Sequence, residues 1–317
     1  MAVFSEVQKA VELLLQGELV ALPTETVYGL GGNALDAGVV AKIFEAKNRP
    51  SFDPLIVHVA SVDQAGEIAE ITEEARLLFE RFSPGPLTLV LKKKDVVPDL
   101  VTSGHSTVAV RIPNHAKTIE VIRKSGLCIA APSANPFGYT SPTTAQHVEE
   151  QLGAKIGGIL DGGPATIGLE STIVDASGAG LKVLRLGGLP YEEICKALGK
   201  EIPVQTSSSK PNAPGMLSSH YNPGVPIKLF EDADALWGAY LETKATVGVL
   251  YMGESRSLEF ERNLSEGEDL REVAAGLFAG LRELAKEAVE EIWTYKMPEV
   301  GLGRAINDRL KRAAISV

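Results

Sequence analysis

"LPTETVYGLGGNALD", from Leu22 to Asp36, changes character twice over a short length of chain. It continues the apolar run "ELVALP", which is typical of a buried strand. Threonines, a glutamate and a tyrosine follow, and then Gly29, Gly31 and Gly32. A simple turn needs neither paired hydroxyls nor repeated glycine. The stretch therefore predicts a strand end at which backbone and hydroxyl groups approach a small ligand, with glycines that allow the backbone to come close and turn.

Helical patterns and short apolar runs alternate from this stretch up to about Lys200, which predicts a mixed α/β domain with antiparallel edges. The first helix is expected in "FSEVQKAVELLLQG", capped by Ser5. "DAGVVAKIFEAKNRP" predicts a helix that Pro50 ends, and Thr72 is expected to cap "TEEARLLFERFSPG". "SPTTAQHVEEQLG" predicts a helix that begins at its threonines. "STIVDAS" and "KVLRLG" predict an adjacent pair of strands.

The composition changes at "QTSSSKPNAPGMLSSHYNPGVP", which is rich in serine, proline, glycine and asparagine and is typical of a linker. We therefore divide the chain into a first α/β domain at 1–204, a linker at 205–226 and a small Rossmann-like α/β domain at 227–317. In the last domain, "DLREVAAGLFAGLRELAKEAVEEIW" predicts one long helical region and "GLGRAINDRLKRAA" a closing helix. Gly301 and Gly303 are assigned to a turn, because their spacing is not that of a dinucleotide fingerprint.

Charge and cysteine content narrow the class of protein. The 317 residues carry a formal net charge of -10, which disfavours a large unspecific nucleic-acid surface. The two cysteines, Cys128 and Cys195, lie far apart in apolar settings, so that neither a disulfide framework nor a cysteine metal site is expected. The chain has no run of membrane-spanning length, and its start lacks signal-peptide features. A cytoplasmic protein is the simplest expectation.

Charged and hydroxyl side chains recur where helices and strands end. Lys47 and Arg49 in "AKNRP" indicate an anion clamp, or else simply complement the negative end of a helix dipole. Arg111 ends the strand "TVAVRIP" and reaches either a cleft or solvent. His58 ends "PLIVH", where it is either a site residue or a structural partner.

Two further stretches carry the same pattern. "APSANPFGYTSPTT" contains Ser141 and Thr143, which could cap the next helix, and Ser133 and Asn135, which that role leaves unexplained. "GLESTIVD" brings an acid and two hydroxyls before a strand, and Arg185 ends "VLRLG". No metal-ligand motif, nucleophile elbow or Walker loop is present. A cationic, hydroxyl-rich site without a nucleophile is suited to a polyanion plus a small polar molecule, and to nucleotidyl or phosphoryl transfer by positioning and charge neutralisation.

Seven stretches in this order resemble the YrdC-like family, and more closely its two-domain branch, the threonylcarbamoyl-AMP synthases. They are "PTETVYGLG", "KIFEAKNRPSFDPLIVH", "SPGPLTLVL", "VAVRIP", "APSANPFGYTSPTT", "GLESTIVD" and "LRLGG"; "PGMLSSHYNP" and "GLGRAINDRLKRAA" resemble the longer form of the family. The resemblance implies a twisted open mixed sheet with helices around a positively charged cavity. It also implies synthesis of threonylcarbamoyl-adenylate and pyrophosphate from L-threonine, bicarbonate and ATP.

The resemblance also implies the site residues. Lys47 and Arg49 match the catalytic K-x-R pair. The predicted L-threonine-binding residues are Thr26, His58, Arg111, Ala131, Ser171 and Thr172. The predicted ATP-binding residues are Arg49, Asp53, Thr107, Ser133, Asn135, Ser141, Arg185, His220 and Tyr221. Many family members have asparagine at the position of Asp53. Tyr28 is expected to form an aromatic wall of the cavity.

The implied cofactor is Mg²⁺, carried by ATP, with no metal site in the protein. The linker is expected to close over the cavity as a lid. The product serves threonylcarbamoyladenosine modification of tRNA next to the anticodon, so downstream transfer proteins are the implied partners and tRNA contact is weak or indirect. Three alternatives remain: an RNA-binding module, an enzyme acting on carbamoyl phosphate, and a small-ligand sensor without turnover.

Overall fold

The computed structural model describes residues 3–178, 180–205 and 220–315, which form two compact units. The first unit contains the described residues up to 205, apart from two short segments at 138–141 and 167–169. The second unit contains those two segments together with the described residues from His220 onwards. No helix of the described ranges is long and apolar enough to span a membrane.

A mixed sheet forms the centre of the first unit. Its strands are β1 (Val3–Phe4), β2 (Val20–Leu22), β3 (Gly29–Asn33), β4 (Ile56–His58), β5 (Leu87–Lys92), β6 (Thr107–Arg111), β7 (Ile129–Ala130), β8 (Gly158–Leu160), β9 (Thr172–Asp175) and β10 (Lys182–Arg185). Their order across the sheet is β1-β8-β2-β3-β7-β4-β6-β5-β9-β10. Both parallel and antiparallel pairs occur along this order, which confirms the predicted mixed sheet. One edge, β9–β10, is antiparallel as predicted; the other, β1–β8, is parallel.

Helices of the first unit bury the apolar faces of this sheet. They are α1 (Val7–Leu15), α2 (Ala37–Lys47), α3 (Val62–Ile68), α4 (Glu73–Phe82), α5 (Asp99–Thr102), α6 (Ala116–Ser125), α7 (Ala145–Leu152) and α8 (Tyr191–Leu198). The main core cluster joins residues of α2, α4 and α7 to the buried side chains of the central strands.

The helix ends follow local capping chemistry, with two corrections to the sequence predictions. Thr72 and Thr144 cap α4 and α7 as predicted, because each hydroxyl accepts a backbone N–H of the first turn. Glu6 rather than Ser5 is the N-cap of α1, without a side-chain cap. Asn48 rather than Pro50 ends α2, since its backbone adopts the left-handed conformation with a φ of 51°.

The glycines after Tyr28 lie in strand β3 rather than in a turn, and none of them has a positive φ. Gly29 lies where a Cβ would come within 3.1 Å of the Ala131 Cβ. At Gly32 a Cβ would come within 2.7 Å of the Val39 side chain on α2. The glycines therefore allow close packing of neighbouring strands and a helix. The predicted close approach of the backbone is present, but the predicted turn was wrong.

A four-stranded, wholly parallel sheet forms the second unit. Its strands are β11 (Ile227–Phe230), β12 (Val247–Tyr251), β13 (Glu261–Asn263) and β14 (Glu291–Tyr295), in the order β11-β14-β12-β13. Its helices are α9 (Ala233–Glu242), α10 (Leu270–Leu284) and α11 (Leu302–Ala314). A parallel open sheet with intervening helices is the predicted Rossmann-like α/β arrangement.

The predicted long helical region after Asp269 was wrong at its end. Helix α10 stops at Leu284, and "EIWTY" forms the buried strand β14, because its branched and aromatic residues fill a pleated central position. Gly301 lies in a turn with a φ of 55°, as predicted. Gly303 instead lies in the first turn of α11, where a Cβ would meet the Pro298 carbonyl oxygen.

Candidate functional site

Lys47 joins the two motifs that the sequence singled out. It is the last residue of α2, is 1% exposed, and donates hydrogen bonds to the main-chain carbonyls of Ser133 and Asn135. Asn135 also donates its side-chain amide to the Pro136 carbonyl at 2.9 Å. The K-x-R segment (Lys47–Arg49) and the S-x-N segment (Ser133–Asn135) are thus in direct contact. Burial, and then the neighbouring Arg49, lower the pKa of Lys47 well below its ordinary value, while Asp53 opposes this effect.

Arg49 closes a short loop with Asp53. Its guanidinium lies 2.9 Å from the Asp53 carboxylate and donates to the carbonyls of Asp53 and Pro54 at 3.0 Å and 2.9 Å. Burial raises the pKa of Asp53, and the cations Arg49, Lys47 and Arg185 act against this rise. The electrostatic influence of three predicted site cations therefore reaches one buried acid, whose charge offsets part of their mutual repulsion.

Arg111 and Thr26 form a second centre. The Arg111 guanidinium donates to the Thr26 hydroxyl at 2.8 Å and to the Gly85 carbonyl at 3.3 Å. The Thr26 hydroxyl also lies 2.8 Å from that of Thr24, which donates to the Val27 carbonyl. These contacts lie where β2 and β6 end, and they hold the guanidinium against the Leu22–Asp36 stretch.

His58 pairs with Arg111 across neighbouring parallel strands and is 4% exposed. Burial, and then the charge of Arg111, lower the pKa of His58 to about 3. The imidazole is therefore neutral at physiological pH and contributes a hydrogen-bonding group without charge. Ala131 belongs to the same region, because its N–H donates to the Ile56 carbonyl at 3.0 Å.

Ser171 and Arg185 form a third group. Arg185 donates to the Ser171 carbonyl at 3.0 Å and to its hydroxyl at 3.1 Å. The hydroxyls of Ser171 and Thr88 share a hydrogen bond of 2.6 Å. Thr88 is the β5 partner of Arg111, so this group adjoins the second centre. By contrast, the Thr172 hydroxyl both donates to and accepts from the backbone of Leu189, which indicates a structural role for it.

Thr107, predicted to bind ATP, and Arg111, predicted to bind threonine, lie at opposite ends of β6, whereas the predicted ATP residue Arg185 lies with Ser171 beside the Arg111 end. Thr107 begins β6 and Arg111 ends it, and the β4–β6 register places His58 beside Arg111. Arg49 and Asp53 precede β4, whose first paired residue, Ile56, lies beside Ala109. A strand rises about 3.3 Å per residue, so the two ends of β6 lie roughly 13 Å apart. That length accommodates a nucleotide phosphate at one end and an amino acid at the other.

Three predicted ATP-binding residues, Ser141, His220 and Tyr221, belong to the second unit. Tyr221 is 2% exposed; its ring stacks on Phe278 with centroids 5.3 Å apart, and the Arg309 guanidinium lies 5.4 Å from its centroid. In the same unit the Tyr221 carbonyl accepts the Thr140 hydroxyl at 3.2 Å.

Other predictions concern the lid, Tyr28 and metal ligands. Most of the predicted lid, 206–219, lies outside the described residues. Tyr28 is not a cavity wall: it is fully buried in the core, and its hydroxyl donates to the Gly163 carbonyl at 2.8 Å. Burial is also the main reason why the pKa of Tyr28 is raised. Across 3–178, 180–205 and 220–315, no group of three or more His, Cys, Asp and Glu residues could hold a metal ion.

Sequence reasoning assigned no role to Glu25 or Thr88. Glu25 lies between the two threonines of the opening stretch and is buried against Arg111, with a side-chain oxygen 2.8 Å from the guanidinium. An acid directly after a buried strand was the available signal. Thr88 gave no signal, since a threonine inside "LTLVL" is ordinary in a strand.

Comparison with known proteins identifies the family of the chain. The Sua5/YciO/YrdC family model, described as telomere recombination, matches residues 12–187, and the model described as threonylcarbamoyl-AMP synthase, C-terminal domain, matches 189–315. The threonylcarbamoyl-AMP synthase of Pyrococcus abyssi is 43% identical over 98% of this chain and 94% of its own length. That of Bacillus subtilis is 41% identical over 98% and 93%.

A solved structure shows the same fold. The crystal structure of P. abyssi Sua5 complexed with L-threonine superposes with a TM-score of 0.91 at 43% identity, covering 97% of this chain and 94% of that one. The resemblance seen in the sequence motifs is therefore confirmed over both units. The chain belongs to the threonylcarbamoyl-AMP synthase family, in its two-domain form.

Proposed function

We propose that this chain makes L-threonylcarbamoyl-adenylate and pyrophosphate from L-threonine, bicarbonate and ATP. The observation that carries the proposal is the contact of Lys47 with the carbonyls of Ser133 and Asn135, which brings the K-x-R and S-x-N segments together. Mg²⁺ enters as part of the Mg–ATP substrate, held by phosphate oxygens and water.

The proposed phosphate-binding cations are Lys47, Arg49 and Arg185, of which Arg185 also contacts Ser171 beside the amino-acid end. Each of these cations opposes the burial-driven rise in the pKa of Asp53, and the Arg49 guanidinium lies 2.9 Å from its carboxylate, which supports joint action on one polyanion. When ATP binds, its phosphates replace or join the Asp53 carboxylate as the counter-charge. Fixed cations in a buried site then stabilise the charge that develops on the phosphate oxygens in the transition state.

The amino-acid end consists of Arg111, Thr26 and His58. The planar guanidinium of Arg111 suits a carboxylate, and the Thr26 hydroxyl holds that guanidinium in place at 2.8 Å. The neutral imidazole of His58 offers a hydrogen bond without adding charge. Ser171, Ala131 and the neighbouring backbone complete the proposed pocket.

The chemistry needs no covalent enzyme intermediate. The threonine amine forms a bond to the carbon of bicarbonate or CO₂, giving N-carboxy-threonine. A carboxylate oxygen of this carbamate then forms a bond to the α-phosphorus of ATP. The bond from that phosphorus to the oxygen bridging to the β-phosphate breaks, and pyrophosphate leaves. The protein contributes positioning of the two substrates and neutralisation of charge.

The adenylate is a labile product, so the proposal includes cytoplasmic proteins that transfer the threonylcarbamoyl group to tRNA next to the anticodon. With a net charge of -10, the chain itself is a poor general RNA-binding surface. Contact with tRNA is therefore proposed to be weak or indirect.

Pyrophosphate release tests the proposal directly. Purified protein is incubated with ATP, Mg²⁺, L-threonine and bicarbonate, and each component is omitted in turn. Release that requires both threonine and bicarbonate is the expected result, and Lys47→Ala should abolish it. The exposed helix residue Lys124 provides a matched control in Lys124→Ala. ATP binding without release, even with tRNA present, would favour the sensor or RNA-binding alternatives.

A further inference from the structure

We propose that Glu25 is a catalytic residue that receives the α-ammonium group of threonine and accepts the proton which that group loses. This inference rests on the proposed function and deepens it at the amino-acid end of the site. It begins from a buried carboxylate for which the mechanism above has no use. Glu25 is 6% exposed and lies next to Thr26, on the stretch that leaves β2.

The Glu25 carboxylate has capacity to bind a ligand. One oxygen lies 2.8 Å from the Arg111 guanidinium, yet within the described part of the chain neither oxygen has a partner with hydrogen-bond geometry. The ion pair supplies attraction but leaves the acceptor sites of a buried carboxylate unused. Such groups are costly to bury, which favours a ligand that donates hydrogen bonds to them.

The pair also matches the charge pattern of an α-amino acid. Free threonine is a zwitterion, with a carboxylate and an ammonium on the same carbon. Arg111 and Glu25 present the complementary charges side by side, 2.8 Å apart. If the threonine carboxylate takes the guanidinium, the Glu25 carboxylate is left beside the adjacent ammonium, which donates charge-assisted hydrogen bonds to it. One ion pair within the protein is thereby exchanged for two with the substrate.

The reaction requires such a proton acceptor. An ammonium has no lone pair, so the amine must lose a proton before it attacks carbon. His58, the imidazole beside Arg111, is a poor base because burial lowers its pKa to about 3. Asp53 is ion-paired with Arg49, one of the proposed phosphate-binding cations. Glu25 lies beside Arg111. The substrate carboxylate is expected to bind Arg111, which places the substrate ammonium next to Glu25.

The step balances as written. One N–H bond of the ammonium breaks, and its proton forms an O–H bond on the Glu25 carboxylate. The nitrogen lone pair then forms the N–C bond to CO₂, or to bicarbonate with loss of water. With CO₂, the second proton leaves the nitrogen after attack and passes to solvent; with bicarbonate, it joins the departing hydroxide to form the water that is lost. The carbamate therefore forms with the release of one proton overall per threonine ammonium and bicarbonate.

A substrate-analogue cycle tests the binding part. Calorimetry compares L-threonine with 3-hydroxybutanoate, in which hydrogen replaces the amine, on the wild type and on Glu25→Gln. Loss of a charge-assisted pair should weaken threonine binding by about tenfold or more. Binding of the analogue should not weaken. Asp175→Asn, which removes another buried acid of the same unit, is the matched control and should change neither affinity.

A pH profile tests the proton-transfer part. For Glu25→Gln, kcat should rise about tenfold per pH unit towards the wild-type value, because solution then supplies the deprotonated amine. Arg111 faces Glu25, and His115 lies near enough for Glu25 to raise its pKa against a larger lowering by burial. His115→Gln should therefore show the wild-type profile. Glu25→Asp should recover part of the rate at neutral pH.

Three outcomes would overturn the inference. The first is unchanged threonine affinity in Glu25→Gln, and the second is equal loss for threonine and its analogue, which would make Glu25 a support for Arg111 only. The third is a rate deficit that stays constant with pH. Failure of the proposed function is separate, since it appears as wild-type protein that releases no pyrophosphate, whereas the affinity cycle needs no turnover.

Discussion

The ammonium of Lys47 is hydrogen-bonded to the main-chain carbonyl of Asn135, 88 residues further along the chain. It joins the C-terminal end of α2 to the segment that follows β7. The contact buries a positive charge close to Arg49, and both burial and this neighbour lower the pKa of Lys47. Lys47 and Arg49 therefore repel each other, and a bound anion is expected to offset this repulsion.

ATP binding is expected to take up protons. Phosphate charge raises the pKa of Lys47, and also that of Asp53, which burial has already raised. Calorimetry in two buffers with different ionisation enthalpies measures the uptake, and ATP affinity should fall as the pH is raised through the lowered pKa of the unliganded Lys47. Asp53→Asn removes the proton uptake at Asp53, so that the uptake which remains is assigned to Lys47. Identical heats in both buffers would contradict the prediction.

Arg111→Lys should affect threonine and spare ATP. A lysine cannot replace the fork that contacts Thr26, Glu25 and Gly85 at once. We expect KM for threonine to rise by roughly 10- to 100-fold, with the Kd for ATP within about twofold of the wild type. Arg123→Lys, at the exposed end of α6, is the control. A parallel loss of ATP binding would show that Arg111 supports the whole site.

His58 should make stability depend on pH. Its folded pKa of about 3 lies below the unfolded value of 6.5, so the unfolded chain binds one more proton between these values. Its contribution to the free energy of unfolding is therefore complete above about pH 6.5 and falls by about 1.4 kcal/mol per unit as the pH drops towards 3.

Thermal unfolding from about pH 7 to pH 5 checks this prediction. His58→Gln should lose less Tm over that range than the wild type, whereas His105→Gln, at a partly exposed position away from the core, should behave like the wild type. Equal slopes for wild type and His58→Gln would assign the pH dependence to other groups.

Gly187→Ala should destabilise the protein and disturb the third group of the site. An added Cβ would lie 2.2 Å from the Glu170 carbonyl oxygen and 2.6 Å from the Ser171 carbonyl carbon. Relief of this overlap displaces the backbone that Arg185 contacts, at a cost of about 1–3 kcal/mol. Differential scanning calorimetry measures the loss. Gly267→Ala, where a Cβ would have open space, is the control and should leave Tm nearly unchanged.

Tyr221 should act in the second unit through its ring. Tyr221→Ala removes the stack on Phe278 and the face beneath Arg309, and should cost about 3–5 kcal/mol in the unfolding of that unit. Tyr221→Phe keeps the ring and should retain most of the stability. Chemical denaturation followed by Trp293 fluorescence reports on the unit. Equal losses in both variants would place the contribution on the hydroxyl instead.

The sequence predicted local elements well where one signal dominated. Thr72 and Thr144 indicated where helices begin, because a threonine hydroxyl caps a backbone N–H group three residues further on. It predicted less well where long-range packing decides the conformation. Strand β3 is made of glycines that would form a turn in isolation, and they become a strand because β2, β7 and α2 lie against them.

The candidate site shows the same division between local and long-range information. Lys47, Arg49, Arg111, Ser133 and Arg185 were recognisable in sequence, because charged and hydroxyl residues at the ends of apolar runs are unusual. Two of their partners were not, since the contacts of Arg185 with Ser171 and of Arg111 with Glu25 depend on how distant segments meet.

By itself, the sequence determined the α/β class, the two-part organisation, the family and the types of side chain at the site, because these follow from local periodicity and motif order. The tertiary structure alone decided which charges face one another. The strand order β4-β6-β5-β9 brings His58, Arg111, Thr88 and Ser171 together from distant parts of the chain. Burial there keeps His58 neutral and leaves Glu25 beside Arg111, since charge in a low-dielectric interior depends on neighbours that sequence separation does not reveal.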